Sequence, residues 1–255
     1  AYRRESEDMK KPEAAQSLVR VDPLEIEFGL ALLPLADPSQ GGDLMDRIVM
    51  VRRQIASELG ILIPFVRVRD NFSGMGPNGY CINLRGVDVG SGEVYPDRLM
   101  AMEGPGVTQK VSGIPGKEPA FGLDVVWVPK ESREDAESKG YTVIESSAVI
   151  ATHLTEALRK DAHLLLTRQE TQRLLDLAKQ EDGTCIEEAI PSLLSVGEVQ
   201  KVLQNLVKEG IPIRDLVTIV ENLADAARVS RDVDYLTMRV REGLSRLITK
   251  ELGLD

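Results

Sequence analysis

Several groups of residues have the type or spacing to do chemistry. Gly74-Met75-Gly76-Pro77-Asn78-Gly79 is a literal G-x-G-x-x-G after a predicted strand, the spacing that lets a dinucleotide pyrophosphate approach the backbone. Tyr80-Cys81-Ile82-Asn83-Leu84-Arg85 follows and alternates like a strand, so no helix N-terminus awaits a phosphate and the run reads as a turn. Gly90-Ser91-Gly92 and Gly104-Pro105-Gly106 lack the Lys-Ser/Thr tail of a phosphate-binding loop. His153 and His163 lie on one predicted helix, roughly 15 Å apart along its axis, too far to share a metal or a substrate atom. A surface or packing role suits both. Cys81, in a strand, and Cys185, in a loop, have no cationic neighbour that would favour a thiolate. Carboxylates come in runs such as Glu131, Glu134, Asp135 and Glu137, the pattern of a solvated helix face. No Ser-His-Asp spacing appears. An enzyme is therefore the weaker class, with a soluble nucleotide-binding enzyme built on Gly74–Gly79 as the alternative, and neither cofactor nor metal is expected.

The remaining candidate is Glu118-Pro119-Ala120-Phe121-Gly122-Leu123. Phe121 is one of four Phe in a chain that is 4% aromatic. In a Gly/Pro-rich turn such a residue is either a core plug or an exposed contact anchor. The residues favour the plug, and composition leaves the choice open.

These residues must be positioned by a chain of 255 residues, enough for one large domain or two ordinary ones. Hydrophobic residues at 42% and charged residues at 28% are those of a globular protein, which excludes wholesale disorder. Lys and Arg total 31 against 41 Asp and Glu, a formal charge of −10. That argues against nucleic acid as a partner, because affinity for phosphate backbones needs clustered cations. Two cysteines make no disulfide framework, and a reducing compartment is the natural reading. No run approaches the roughly 18 apolar residues of a membrane span; Ile61 to Val66 is interrupted by Pro64 and followed by Arg67. The chain as given is expected to be soluble. Its first twenty residues mix charges of both signs and read as a linker, and the missing initiator Met suggests a piece of something longer.

Leu24, Ile26, Phe28, Leu30 and Leu32 alternate as in a strand. Leu44, Ile48, Val51, Ile55 and Leu59 predict a helix over 44–59, capped by Asp43 and stopped by Gly60. Phe65 to Asp70 and Tyr80 to Val89 alternate again, which predicts a long β-hairpin. A Gly/Pro-rich segment follows, then a buried strand over Leu123 to Val128, an acidic helix over Glu131 to Lys139, and a strand over Tyr141 to Ile144. Ser146 or Ser147 caps a helix through about Leu165. Thr167 with Glu170 and Ser195 with Glu198 have capping-box spacing and start helices to about Lys179 and Glu209. Two more helices are predicted over about 213–227 and 233–252. The pair Val196–Glu209 and Ile213–Ala227 resembles a helix-turn-helix, but Asp215, Glu221 and Asp225 outnumber Arg214 on the second helix and would repel phosphate. The fold class is α+β with several subdomains: a mixed α/β first part carrying a small β-containing insertion, then an all-helical part.

Val21-Asp22-Pro23-Leu24, Gln40-Gly41-Gly42-Asp43-Leu44, Arg52 to Gly60, Arg67-Val68-Arg69-Asp70-Asn71, Pro119-Ala120-Phe121-Gly122-Leu123, Ala151-Thr152-His153-Leu154, Arg168-Gln169-Glu170 and Val202 to Leu206 with Ile213-Arg214-Asp215 occur in this order. Together they closely resemble the FlhA family, from about Asp22 to the C-terminus. The resemblance implies the cytoplasmic region of a flagellar type III export gate, a large membrane protein with relatives in virulence secretion systems. It implies a docking platform, not an enzyme, at the cytoplasmic face of the bacterial inner membrane. The membrane would be reached only through a region N-terminal to this one. The implied partners are export chaperone–substrate complexes, components of the export ATPase complex, and eight further copies in a ring of nine.

The implied subdomains are a linker over 1–21, a first subdomain over 22–96 and 146–165, a second inserted over 97–145, a third over 166–255, and a fourth lying beyond. In the family an acidic residue and a Phe of the D-P-A-F-G-L stretch, with the Thr of A-T-H-L, line a dimple that docks chaperones. Here those positions are Glu118, Phe121 and Thr152, with Glu118 keeping the usual Asp's charge on a longer arm. The loop over 71–79 is richer in glycine than the family's. The resemblance makes Phe121 a partly exposed anchor and not a plug.

Overall fold

Strand alternation sets the first layer of this computed structural model, which describes residues 21–71, 74–107, 109–251 and 253. The linker expected over 1–21 lies outside these except for Val21. In β1 (Leu24–Phe28), Leu24, Ile26 and Phe28 are fully buried while Glu25 and Glu27 sit half-buried on the opposite face. Each such apolar side chain contributes about 1.5–3 kcal/mol by leaving water. The strand ends sooner than its pattern predicts: Leu30–Leu32 is a 3-10 turn, and Leu30 is exposed. Gly29 marks the departure. Its N–H donates to the Gly79 carbonyl at 2.8 Å, where a Cβ would lie 2.1 Å from the Gly76 oxygen.

After α1 (Leu33–Ala36), α2 (Leu44–Leu59) buries Leu44, Ile48, Val51, Ile55 and Leu59, the stripe its spacing predicts. Gly60 ends it in the left-handed region at φ 77°. Asp43 is its N-cap residue, as expected, but the carboxylate makes no capping bond and takes Arg47 Nε at 2.7 Å instead.

β2 (Arg67–Asp70), β3 (Gly79–Leu84) and β4 (Val87–Glu93) complete a sheet of order β2-β1-β3-β4. The predicted hairpin between the second and third alternating runs is wrong, because β1 lies between them. Ile26 faces Val68 of parallel β2 on one side and Ile82 of antiparallel β3 on the other. The hairpin is β3–β4, and it breaks the strand expected through Val89 at Arg85-Gly86. Both residues are left-handed, at φ 51° and 78°, as a tight two-residue turn requires. Arg85 in place of Asn or Asp disguises that turn.

The second sheet has order β6-β7-β5-β8, antiparallel throughout: β5 (Arg98–Glu103), β6 (Ile114–Lys117), β7 (Asp124–Pro129) and β8 (Tyr141–Glu145), with α3 (Arg133–Ser138) before β8. Leu99, Ala101 and Val128 close a small core with Ala136 and Tyr141. Met100, Val125 and Trp127 face the other way into the main core. α4 (Ser146–Asp161) then packs Val149, Ile150, Leu154 and Leu158 against α2 and the first sheet. The helix expected through Leu165 tightens to 3-10 pitch over Ala162–Leu165. Neither serine caps it: Glu145 is the N-cap, and Ser146 Oγ donates to the Tyr95 carbonyl at 2.8 Å.

The rest is helical: α5 (Arg168–Glu181), α6 (Gly183–Ala189), α7 (Val196–Lys208), α8 (Leu216–Ala227), α9 (Val233–Gly243) and α10 (Ser245–Glu251). Cys185, expected in a loop, lies in α6, whose N-cap Asp182 accepts from the Cys185 N–H at 3.1 Å. The last predicted helix is divided at Leu244. Ser195 and Glu198 form the full reciprocal box. Thr167 makes only the forward bond, since the Glu170 carboxylate turns to Arg173. α8 starts three residues later than predicted, where Asp215 accepts from the Thr218 N–H at 3.1 Å. The Ile213 N–H reaches back to the Leu59 carbonyl at 2.8 Å and ties this helical part to the end of α2. The architecture is the predicted α+β class.

Candidate functional site

The turn from β6 to β7 is closed by its first residue. Glu118 N–H donates to the Leu123 carbonyl at 2.8 Å, and the Glu118 carbonyl accepts from Gly122 N–H at 2.8 Å. Its side chain then folds inward, Oε1 accepting from Ala120 N–H at 2.9 Å and Oε2 from Phe121 N–H at 2.6 Å. A carboxylate leaves water at a cost of several kcal/mol unless charge-assisted hydrogen bonds replace the lost hydration, and two do so here. Glu118 is 3% exposed, whereas Phe121 is 62% exposed and Leu123 51%. The residue-based preference for Phe121 as a core plug is therefore overturned. Leu123 likewise does not begin a buried strand, because Gly122 is left-handed at φ 71° and turns the chain before β7 starts at Asp124.

Beneath the turn, Pro119 rests on Gly92 of β4: a Cβ at Gly92 would lie 2.8 Å from both the Pro119 Cβ and the Tyr80 hydroxyl. That hydroxyl lies 2.7 Å from His153 Nδ1, with the rings edge to face at 5.7 Å. Burial pushes the Tyr80 phenol well up, and the Glu118 charge adds to the effect. Burial pushes His153 down, with Glu118 and Asp88 opposing it. Both shifts favour the neutral phenol and the neutral imidazole at this contact, and the imidazole tautomer sets which of the two donates. Thr152 precedes His153 on α4 and is exposed. The structure thus joins Glu118 directly to Phe121, while Thr152 stands exposed on α4 next in sequence to His153.

The other chemical candidates are absorbed by packing. The Gly74–Gly79 run leads into β3, and its Pro77 and Asn78 carbonyls accept from Ala31 and Val94 amides. The Cys81 thiol is pushed up to about 12, by burial first and then by Asp88 and Glu27. His163 leaves α4 in the 3-10 turn, so the two histidines do not share one regular helix. α8 buries Leu216, Ile219, Val220 and Leu223 and is no free recognition helix. Glu188, Glu221 and Asp225, with Arg228, line a groove beside Cys185. Among the described residues no cluster of His, Cys, Asp and Glu could hold a metal, and no helix is long and apolar enough to cross a membrane.

A two-sheet α+β body with a helical tail is a fold found in proteins of known structure. The CdsV protein of Chlamydia pneumoniae, solved in complex with CdsO, is 25% identical with a TM-score of 0.75, covering 91% of this chain and 72% of that one. The nonameric EscV cytosolic domain of a type III secretion system is 21% identical with a TM-score of 0.65, covering 92% and 68%. The chain belongs to the FHIPEP family, whose model matches residues 1–254. The flagellar biosynthesis protein FlhA of Bacillus subtilis is 44% identical over 251 residues, 98% of this chain. The chain spans 37% of that relative's length.

Tyr80 and Leu123 are the residues around this turn that sequence reasoning missed, while His153 takes the packing role expected of it. The left-handed Gly122 is the signal that places Leu123 outside. Nothing in spacing pairs Tyr80 with a histidine 73 positions away.

Proposed function

We propose that this chain is the cytoplasmic docking portion of a flagellar type III export gate, and that export chaperones carrying their substrates bind at the Phe121 turn. The reading is carried by one observation: a phenylalanine 62% exposed on a turn tied down by four hydrogen bonds. A large apolar side chain held rigidly in water is how a contact hot spot is built. Thr152 contributes a hydroxyl at the rim. The platform does no chemistry of its own and sits at the cytoplasmic face of the inner membrane.

The wider assembly follows from family membership. A ring of nine is supported by the nonameric EscV domain, and binding of a further protein by the complex of CdsV with CdsO; contact with export ATPase components is part of the same proposal. We assign 22–96 with 146–165 to a first subdomain, 97–145 to an inserted second and 166–255 to a third. The confinement of the second sheet to 98–145 supports that division.

Calorimetric titration of a flagellar chaperone–substrate complex into the chain and into Phe121→Ala tests the reading. The wild type is expected to bind and the variant to lose at least about tenfold in affinity. Its stability should stay within about 0.5 kcal/mol, because Phe121 lies largely outside the core. Equal binding by both would remove Phe121 from the site.

A further inference from the structure

The helices α2 and α4 pack against each other, and their C-terminal ends are clasped together: the Arg159 guanidinium holds the Glu58 carboxylate through two bonds, at 2.9 and 2.8 Å. A helix leaves the carbonyls of its last turn without partners of its own, and at both ends the partner comes from α7 or from the segment that follows it. The Leu59 carbonyl, last in α2, accepts from the Ile213 N–H at 2.8 Å, and a Cβ on the adjoining Gly60 would stand 2.6 Å from the Arg214 nitrogen. The Leu166 carbonyl, just past the 3-10 turn that ends α4, accepts from two side-chain amides at once, Gln200 Nε2 at 2.8 Å and Gln204 Nε2 at 2.9 Å.

Leu166 is where the chain passes from the sheet-bearing part into the helical part, and a single-chain passage of this kind is the ordinary place for a hinge. Here it is gripped. Gly197, Gln200 and Gln204 recur three and four residues apart, so they share one stripe of α7, while Val199, Val202, Leu203 and Leu206 are buried in the core. Arg168, two residues past Leu166, covers Gly197 so closely that a Cβ there would fall 2.6 Å from its guanidinium. One amide would already satisfy the buried Leu166 carbonyl; the second takes its other lone pair and fixes direction as well as distance. A swing of the helical part away from α2 and α4 would break both carbonyl ties and widen a cleft of about 700 Å³ lined by Ser57, Glu58, Arg159, Pro212 and Arg214.

We infer that Gln200 and Gln204 form a latch: their amides hold the passage at Leu166 against α7 and, with the bond from Ile213 to Leu59, set the angle at which the helical part stands on the sheet-bearing part. The latch operates whether or not chaperones dock at the Phe121 turn.

Residual dipolar couplings and amide hydrogen exchange of the whole chain, both read by NMR, test it. In wild type one alignment tensor should fit the two parts together. In Gln200→Ala/Gln204→Ala the helical part should require a tensor of its own. The Ile213 amide, in the other tie, should then exchange at least about tenfold faster than in wild type. Ile26 and Leu203, one in each part, report global unfolding and should accelerate less. Ser195→Ala weakens the start of α7 without touching the latch and should keep the single tensor. Two tensors in wild type or in Ser195→Ala, one tensor retained in the double variant, or an Ile213 amide that accelerates only in step with Ile26 and Leu203 would overturn the inference and leave the glutamines as mere partners of an orphan carbonyl. If the double variant does not fold, Gln204→Ala decides by the same two readouts, with a smaller effect because Gln200 still holds Leu166.

Discussion

Tyr80 and His153, on β3 and α4, meet through a 2.7 Å hydrogen bond directly beneath the turn that carries Phe121. The bond joins the first sheet to the helix that bears Thr152, and the Pro119 ring closes over Gly92 beside it. The exposed turn therefore stands on a buried polar support.

That support titrates. Burial holds His153 below its ordinary range, against the opposing charges of Glu118 and Asp88. A histidine whose folded value lies below its unfolded one contributes full stability above the unfolded value, about 6.5. The contribution falls as pH drops below that value and levels off below the folded one. Urea unfolding at pH 8 and pH 5 should show a loss of stability toward acid that is reduced in His153→Phe. An identical acid loss in the variant would assign it to other groups.

Tyr80→Phe leaves His153 Nδ1 buried without its hydrogen-bond partner. A cost of about 1–3 kcal/mol is expected, the penalty of an unsatisfied buried polar atom. Urea midpoints at pH 8 measure it, and a neutral outcome would mean that water replaces the hydroxyl.

Gly92→Ala places a methyl 2.8 Å from both the Pro119 ring and the Tyr80 hydroxyl. Overpacking of this kind costs about 1–3 kcal/mol. Because the clash falls on the base of the turn, chaperone affinity should fall as well, while Phe121 itself is untouched. Calorimetry beside thermal melting separates the two effects.

Cys81 should be a poor nucleophile in the folded chain. Its thiol is pushed up to about 12, chiefly by burial, which lowers the thiolate fraction about a thousandfold against an ordinary cysteine near pH 8. Disulfide-exchange reagents should modify it slowly in buffer and readily in urea. Equal rates in the two would contradict the raised thiol of this half-buried cysteine.

Ser195→Ala removes one half of the Ser195–Glu198 box at the start of α7. It should cost about 1 kcal/mol in urea unfolding. Thr167→Ala should cost less, since Thr167 takes part in only the forward bond.

Where one local rule decides the outcome, the chain reads directly. α2 is legible end to end because its apolar stripe, period and glycine stop agree. The first sheet is not, since alternation says which residues share a face and nothing about which strands are neighbours. β2 and β3 read as partners, yet β1 separates them. The Arg85-Gly86 turn escaped because arginine there adopts a left-handed conformation that its type does not advertise. Glu118, Phe121 and Thr152 are singled out by resemblance alone, and residue chemistry by itself pointed Phe121 inward. Its exposure follows from bonds between Glu118 and the two following amides, which no composition or period encodes.

The most direct test of docking at this turn is a nitrogen-15 NMR titration of the chain with a flagellar chaperone–substrate complex. The account predicts that the Phe121, Gly122 and Leu123 amides shift or broaden first, together with Ala151 to His153 on α4. Perturbation confined elsewhere, such as the acidic groove of Glu188, Glu221 and Asp225, would contradict it.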